Sequence, residues 1–322
     1  MAAATEKVTT KLQRLLRDKK LLLMPGGFSP LAARMVQAAG LESFFLAGSQ
    51  TAAYVYGLPD VGFMGREEMT QATQRVTAAC DIPIFVDADT GYGNALNVYH
   101  AVQGYIRAGA AGLHIEDQES PKRSGTGAGR KCIPQTEAIG KFRAAMAAKQ
   151  ELDPDFVICA RCDLIGAENG LFEEAVERCT AYVEEAHVDL IWLNNVQSIE
   201  EVHIAAEKIP GAVIPHFGGP PPAPTLQELE DMGVAACLFP GMTSSLGLQA
   251  TWDLLNDLKE RGQVALEQRR AATTESKWGR VRFDTFASFS QDDIARLENE
   301  FLPQEQQRDY ESTFGHYALP SS

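Results

Sequence analysis

The 322-residue chain has no run of about 18 consecutive apolar residues, so no membrane-spanning helix and no membrane partner are expected. It also lacks a surplus of positive charge. Lys and Arg number 29 against 43 Asp and Glu, a formal net charge of −14, which argues against a nucleic-acid partner, whose phosphates demand a basic face. An anionic small molecule stays open, because a local cation reverses the potential inside a cleft. Cysteine is sparse, and Cys80, Cys132, Cys159, Cys162, Cys179 and Cys237 are scattered, mostly in apolar runs. That is the usage of reduced thiols rather than a disulfide framework. Cys159 and Cys162 have redox spacing but sit where a strand is predicted, whereas a redox pair wants a helix N-terminus. They are read as structural. Residues 1–14 carry no apolar core with a small-residue cleavage site, so they do not read as a secretory signal and a cytoplasmic location is expected. The chain contains no His-Glu-x-x-His and no Gly-x-Ser-x-Gly, which argues against a zinc hydrolase and a nucleophile elbow. His100 and His203 fall on predicted helices and read as ordinary histidines.

What is present is a rhythm. Short apolar runs at 21–24, 43–47, 84–87, 112–116, 156–160, 190–193, 212–215 and 235–239 are each bounded by Gly, Pro or polar residues. They are continuously apolar rather than alternating, as parallel strands buried on both faces are. Between them lie segments of helical periodicity, among them 66–79, 95–108, 134–149, 171–186, 198–208 and 225–232. Eight such units over roughly 240 residues predict an α/β fold, a (β/α)₈ TIM-type barrel. An open doubly wound sheet is the alternative, but its Gly-rich fingerprint after the first strand is missing. The barrel is placed at residues 1–262, with a C-terminal helical extension and polar tail at 263–322. Within that extension 290–301 predicts a helix with Ser290 as N-cap, and 304–322 is expected to be poorly ordered.

A barrel places its active site at the carboxyl ends of the strands. The polar residues there are Asp87 and Asp89, Glu116 and Asp117, Arg161, Asn194 and Asn195, and His216. Asp87-Ala88-Asp89-Thr90-Gly91-Tyr92-Gly93-Asn94 is the sharpest motif. Two carboxylates at i and i+2 suit one hard cation such as Mg²⁺, with Mn²⁺ as substitute, and the glycines permit close backbone approach. A turn with solvated acids is the bland alternative. Glu116, ending the next strand, falls beside them. Arg161 stands where a substrate carboxylate would meet a fork, or it pairs internally with one of the acids. The basic, glycine-rich segment 121–131, with Lys122 and Ser124, is either a lid or a plain surface loop. Asp60 in Gly57-Leu58-Pro59-Asp60 is either a site carboxylate or a cap.

With these residues in view, the chain resembles the isocitrate lyase / phosphoenolpyruvate mutase superfamily from about Leu22 to Leu258. Met24-Pro25-Gly26, Ala47-Gly48-Ser49, Gly57-Leu58-Pro59-Asp60, the aspartate motif, Glu116-Asp117-Gln118, Pro121-Lys122-Arg123 and Ala160-Arg161 carry the likeness. The resemblance implies Mg²⁺ held by Asp87, Asp89 and Glu116, and a 2-oxo carboxylate on the amides of Gly48 and Ser49 beside Arg161. It further implies Asp60 at the metal and substrate, and a homo-oligomer, dimer or tetramer, exchanging a C-terminal helix. The chain departs from the lyase branch in its acid/base set. Ser124 and Thr126 replace the lid cysteine and histidine, Asn194 replaces a glutamate, His216 an asparagine, and Ala47 a serine.

The expected activity is therefore a Mg²⁺-dependent lyase or decarboxylase, cleaving a C–C bond of a small 2-oxo or 2-hydroxy acid through a metal-stabilised enolate. Phosphorus–carbon chemistry, as a phosphonomutase or phosphonopyruvate hydrolase, is the alternative, and a catalytically silent binding barrel the third reading. Asp60, Lys122, Ser124, Arg161 and His216 are the catalytic candidates. Ala47, Gly48, Ser49, Arg161, Asn194 and His216 are the candidates for binding substrate. His216, with an ordinary pKa of roughly 6.5, is better placed than the Ser124 hydroxyl to supply a proton.

Overall fold

Each apolar run becomes a parallel strand in the computed structural model, which describes residues 6–18, 20–272, 281, 283–286 and 290–309. The strands are β1 (Leu22–Gly27), β2 (Phe44–Leu46), β3 (Ile84–Asp87), β4 (Gly112–Glu116), β5 (Val157–Cys162), β6 (Leu190–Val196), β7 (Ala212–Phe217) and β8 (Ala236–Phe239). Their order is β7-β6-β5-β4-β3-β2-β1-β8. Across the seam between β7 and β8 the Ala235 N–H donates to the Val213 carbonyl at 3.0 Å, so the eight strands form a nearly closed barrel. The fold class is the expected one.

The helices are α1 (Val8–Arg17), α2 (Pro30–Ala38), α3 (Gly48–Thr51, continued by a π-helical turn at Ala52–Tyr56), α4 (Arg66–Thr77), α5 (Ala95–Arg107), α6 (Gln135–Leu152), α7 (Phe172–Ala186), α8 (Ile199–Lys208), α9 (Leu226–Asp231), α10 (Met242–Arg261), α11 (Gln263–Ala272) and α12 (Gln291–Phe301). Two compact units, Met1–Asn256 and Asp257–Ser322, divide the chain within α10. In the second unit the Ser290 hydroxyl accepts from the Asp293 N–H at 3.0 Å, the cap expected there. Of the tail, Gln304–Gln306 forms a 3₁₀ turn rather than loose chain, and residues 310–322 lie outside the described residues. No helix among the described residues is long and apolar enough to cross a membrane.

The period of two along each strand sorts side chains into two cores. Outward-facing Val86, Ile115, Ile158 and Leu193 pack with Val98, Phe142 and Tyr182 of the surrounding helices. Inward-facing Met24, Phe45, Phe85, Cys159, Trp192 and Ile214 fill the barrel, with Leu12 and Leu15 of α1 in the same cluster. Cys159 and Cys162 are buried free thiols on β5, as read from the sequence. The aromatic and aliphatic filling makes the interior a packed core, leaving chemistry to the layer above it.

Leu12 is 0% exposed and joins the interior cluster from a helix that precedes the barrel. Leu12→Ala is expected to lower the unfolding free energy by about 3 kcal/mol, the usual loss for a buried leucine. Urea unfolding followed by far-UV circular dichroism measures it, and a loss below about 1 kcal/mol would contradict a structural role for α1.

Candidate active site

The layer above the apolar filling follows from the same alternation. Two residues beyond Phe85 on β3 is Asp87, and two beyond Cys159 on β5 is Arg161. On β6 Asn194 follows Trp192, and on β7 His216 follows Ile214. Strand register then pairs Asp87 with His114, Glu116 with Arg161, and Asn194 with His216. Four strands, β1, β5, β6 and β7, run further than the apolar runs suggested. β5, β6 and β7 include Arg161, Asn194 and His216, and Glu116 and Asp163 hold the first two on the strand ends.

Asp87 is buried and accepts hydrogen bonds from the Gly48 N–H at 3.0 Å and the Asp89 N–H at 2.9 Å. Asp89 takes a φ of +52°, unusual for a residue with a Cβ. The Thr90 N–H on its carboxylate at 2.7 Å and the Glu116 N–H on its carbonyl at 2.9 Å hold it there. Gly91 completes the turn at φ +84°, where a Cβ would meet Val98 Cγ2 at 2.5 Å. Glu116 is fully buried, and its Oε1 lies 3.1 Å from both Lys122 Nζ and Arg161 Nη1. Lys122 also reaches Asp60 at 3.0 Å and Asp89 at 3.6 Å, so Asp60 joins the site. Arg161 Nη2 contacts Asp163 at 3.0 Å, and its guanidinium lies 4.5 Å from the centre of the Trp192 ring. Both arms of Arg161 are thus held by internal acids, as the second of the two sequence readings had it.

Five carboxylates, Asp60, Asp87, Asp89, Glu116 and Asp163, face two permanent cations, Lys122 and Arg161. Burial opposes ionisation of Asp87, but His114, Lys122 and Arg161 outweigh it and hold the carboxyl well below the usual range. Burial raises Asp89 and carries Glu116 up to about 8 despite the neighbouring cations. His114, pushed down to about 3 chiefly by burial, is a neutral imidazole at pH 7, with Nε2 3.4 Å from Asp87. Three of these acids are buried and Asp60 and Asp89 are half-buried, and a bound cation would relieve the crowding that raises Asp89 and Glu116. Potential ligand atoms of Asp87, His114 and Glu116 lie within 4.8 Å of one another, and the donors are mostly the hard oxygens that divalent cations of the Mg²⁺ type prefer. These acids fit such an ion; Asp89, expected as a ligand, lies outside that close set, its carboxylate accepting from the Thr90 N–H and facing Lys122 at 3.6 Å.

Beside the acids lies a cavity of about 230 Å³, lined by Ser49, Asp60, Asp87, Lys122, Ser124, Thr126, Arg161, Trp192, Asn194 and His216, among others. It fits a small acid. Gly48 lies just behind, with its N–H on Asp87, so of the two expected amides Ser49 belongs to the cavity lining. Ala47 is buried in the barrel interior. His216, half-buried on the cavity wall, is lowered to about 4 by burial first and by Arg161 second, which favours the uncharged imidazole at neutral pH over the donor expected from its ordinary pKa. His114, Asp163 and Arg130 were not singled out in the sequence. His114 and Asp163 each sit two residues from a predicted inward residue, a signal available by extending the alternation. Arg130 is reached only through the folded loop.

Known proteins can now be set beside this geometry. The phosphoenolpyruvate phosphomutase family model matches residues 12–255. The 2,3-dimethylmalate lyase of Eubacterium barkeri is 34% identical over 79% of this chain and 87% of its own. The chloroplastic carboxyvinyl-carboxyphosphonate phosphorylmutase of Arabidopsis thaliana is 33% identical over 88% of this chain and 84% of its own. A solved oxaloacetate acetylhydrolase with 3,3-difluorooxalacetate superposes with a TM-score of 0.79 at 28% identity, covering 91% of this chain and 97% of that one.

The lowered His216 pKa gives a pH signature. The unfolded chain binds a proton at His216 below about pH 6.5 that the folded protein refuses until about pH 4. Stability is therefore complete above the unfolded value and lost as the pH falls toward the folded one. His216→Asn should remove about 2 kcal/mol of the stability drop between pH 7 and pH 5. Urea unfolding at the two pH values checks this, and equal drops in both proteins would contradict a neutral buried imidazole.

Proposed function

Because the chain belongs to the phosphoenolpyruvate phosphomutase family, whose relatives here are lyases and mutases of small carboxylic acids, we propose that it cleaves a C–C bond next to the carbonyl of a small 2-oxo or 2-hydroxy acid, with Mg²⁺ held by Asp87, Asp89 and Glu116. The observation that carries this reading is the gathering of five carboxylates around two cations at the rim, beside a small cavity. A divalent cation bound there supplies a Lewis acid for the negative charge that develops on the substrate oxygen. Ser49 and the flank of Arg161 orient the 2-oxo carboxylate. Lys122, on the lid, brings a positive charge over it and shuts out water.

Within that class the residues favour decarboxylation of a 3-carboxy-2-oxo acid. Cleaving a hydroxy acid demands a base for the hydroxyl proton and an acid for the departing carbanion. Among the described residues that line the cavity none is a thiol, Ser124 is a hydroxyl, His216 is a weakened base, and Asp60 and Lys122 are paired with each other at 3.0 Å. Loss of carbon dioxide needs neither at the bond-breaking step, because the breaking C–C bond supplies the electron pair. The enolate left behind accepts its proton from water once the lid opens.

Oxaloacetate, phosphonopyruvate and substituted malates, each assayed with Mg²⁺ for pyruvate and carbon dioxide, decide among the readings. Oxaloacetate is expected to give both products, reversibly abolished by EDTA. Asp89→Ala should lower kcat by at least 100-fold with the fold retained, a loss in line with removal of a group that stabilises developing charge. Full activity of a verified metal-free preparation would overturn the metal assignment, and turnover of phosphonopyruvate alone would move the reaction to the P–C bond.

A further inference from the structure

The side chain of Asn194 stands in the cavity wall, yet both hydrogens of its amide are taken by the protein itself. Nδ2 donates to the Gly125 carbonyl at 2.8 Å and to Asp163 Oδ1 at 2.6 Å. Both partners are acceptors, which fixes the amide's orientation, since the flipped form would set oxygen against oxygen. Gly125 lies in the segment 121–131, whose first limb is also tied by Arg123 to Gln118 and by Lys122 to the acids, and whose far limb reaches the same carbonyl. Arg130, 2% exposed, donates from Nη1 to Gly125 O and from Nη2 to the Ile165 carbonyl at 2.6 Å. One carbonyl thus receives the barrel on one side and the far limb of the loop on the other.

The fit beneath Gly125 is equally particular. A Cβ added there would overlap Arg161 Nη2 and lie 3.1 Å from Asn194 Nδ2. Arg161 has no freedom to yield, because Glu116 and Asp163 hold its two arms and its guanidinium rests on Trp192. Only glycine lets the loop descend this far. At the base of the loop Gln118 and Cys132 pair as an antiparallel bridge, so the two limbs leave the barrel together. The carboxylates of the site play no part in this contact except Asp163, which orients the amide.

We propose that Asn194 is a positioning residue that latches the lid 121–131 onto the barrel through the Gly125 carbonyl, with Arg130 bracing the same carbonyl from within the lid. In this role a carboxylate at 194 is excluded, because it would face Asp163 and the Gly125 carbonyl with no proton to share. The lid is therefore held by a neutral amide beside the Arg161–Asp163 pair, while its lysine meets Asp60, Asp89 and Glu116.

Hydrogen exchange of the peptide amides at 119–131, read by mass spectrometry, tests the latch directly. Asn194→Ala, Asn194→Asp and Arg130→Met are each expected to speed lid exchange by about tenfold, the loss of roughly one hydrogen bond, while the strands of the barrel keep their rates. The Kd for oxalate in the presence of Mg²⁺ should weaken by about tenfold, and Mg²⁺ affinity measured by calorimetry without oxalate should stay as in the wild type for Asn194→Ala and Arg130→Met. Combining these two substitutions should add little to either, since both act on one carbonyl. If Arg130→Met fails to fold, Arg130→Lys takes its place with a smaller effect of the same direction. A substrate-contacting Asn194 predicts weakened oxalate with lid exchange unchanged and no effect from Arg130, and that pattern would overturn the proposal. The oxalate measurement rests on the function proposed above. Failure of the wild type to bind oxalate would sink that function, whereas the exchange measurement judges the latch by itself.

Discussion

The interaction on which the site depends is the buried Glu116 carboxylate, held between Lys122 and Arg161 at 3.1 Å from each. A carboxylate in the dry interior is costly unless every charge near it is matched. The matching dictates much else. Arg161 must sit on the adjacent strand in register with Glu116, which it does. Its second arm then needs Asp163, and Asp163 in turn takes the Asn194 amide. Lys122 must come from outside the barrel, which forces the segment after β4 to fold back over the strand ends. The fold-back of the segment 121–131 is in this sense a consequence of burying Glu116 beside Lys122.

A second set of bonds keeps that arrangement rigid. Asp117, fully buried, accepts from Arg178 Nε and the Tyr182 hydroxyl, both at 2.8 Å, and from the Asp163 N–H at 2.9 Å. Arg178 continues to the Ile133 carbonyl at 2.6 Å. Helix α7 is thereby tied to the end of β4, the start of α6 and the residue after β5. The ends of β4 and β5 cannot drift apart without breaking a charged bond in low dielectric. Behind the aspartate loop, Lys141 Nζ donates to the Thr90 carbonyl at 3.1 Å, supporting a turn that already carries positive φ at Asp89 and Tyr92.

Much of this was legible because parallel strands advertise themselves. The eight apolar runs located the strands, and the carboxyl-end rule then gathered Asp87, Asp89, Glu116, Arg161, Asn194 and His216 without reference to any relative. What escaped did so for definable reasons. Strand ends were set where apolarity stopped, so the last inward residues of β5, β6 and β7 were placed in loops. His114 lay inside the run 112–116 and was given no role, although it precedes Glu116 by two and shares its face. Arg130 lay in a segment whose glycines suggested looseness. Its burial depends on carbonyls at 125 and 165, and no periodicity reports such a meeting.

Histidine at 216 shows how far composition misleads about acid–base chemistry. An unperturbed imidazole is poised near neutrality, and a rim position suggested water around it. Instead it follows Ile214 on an inward face, lies 6.2 Å from the Trp192 ring centre, and shares its field with the Arg161 cation. Burial and a like charge act in one direction, toward the neutral form. The same physics divides the cavity. One side gathers carboxylates and Lys122, suited to a cation and the acid end of a ligand, and the other offers an imidazole, an indole and an amide around the Arg161 guanidinium, which rests on the indole and, second to burial, holds the imidazole in its neutral form.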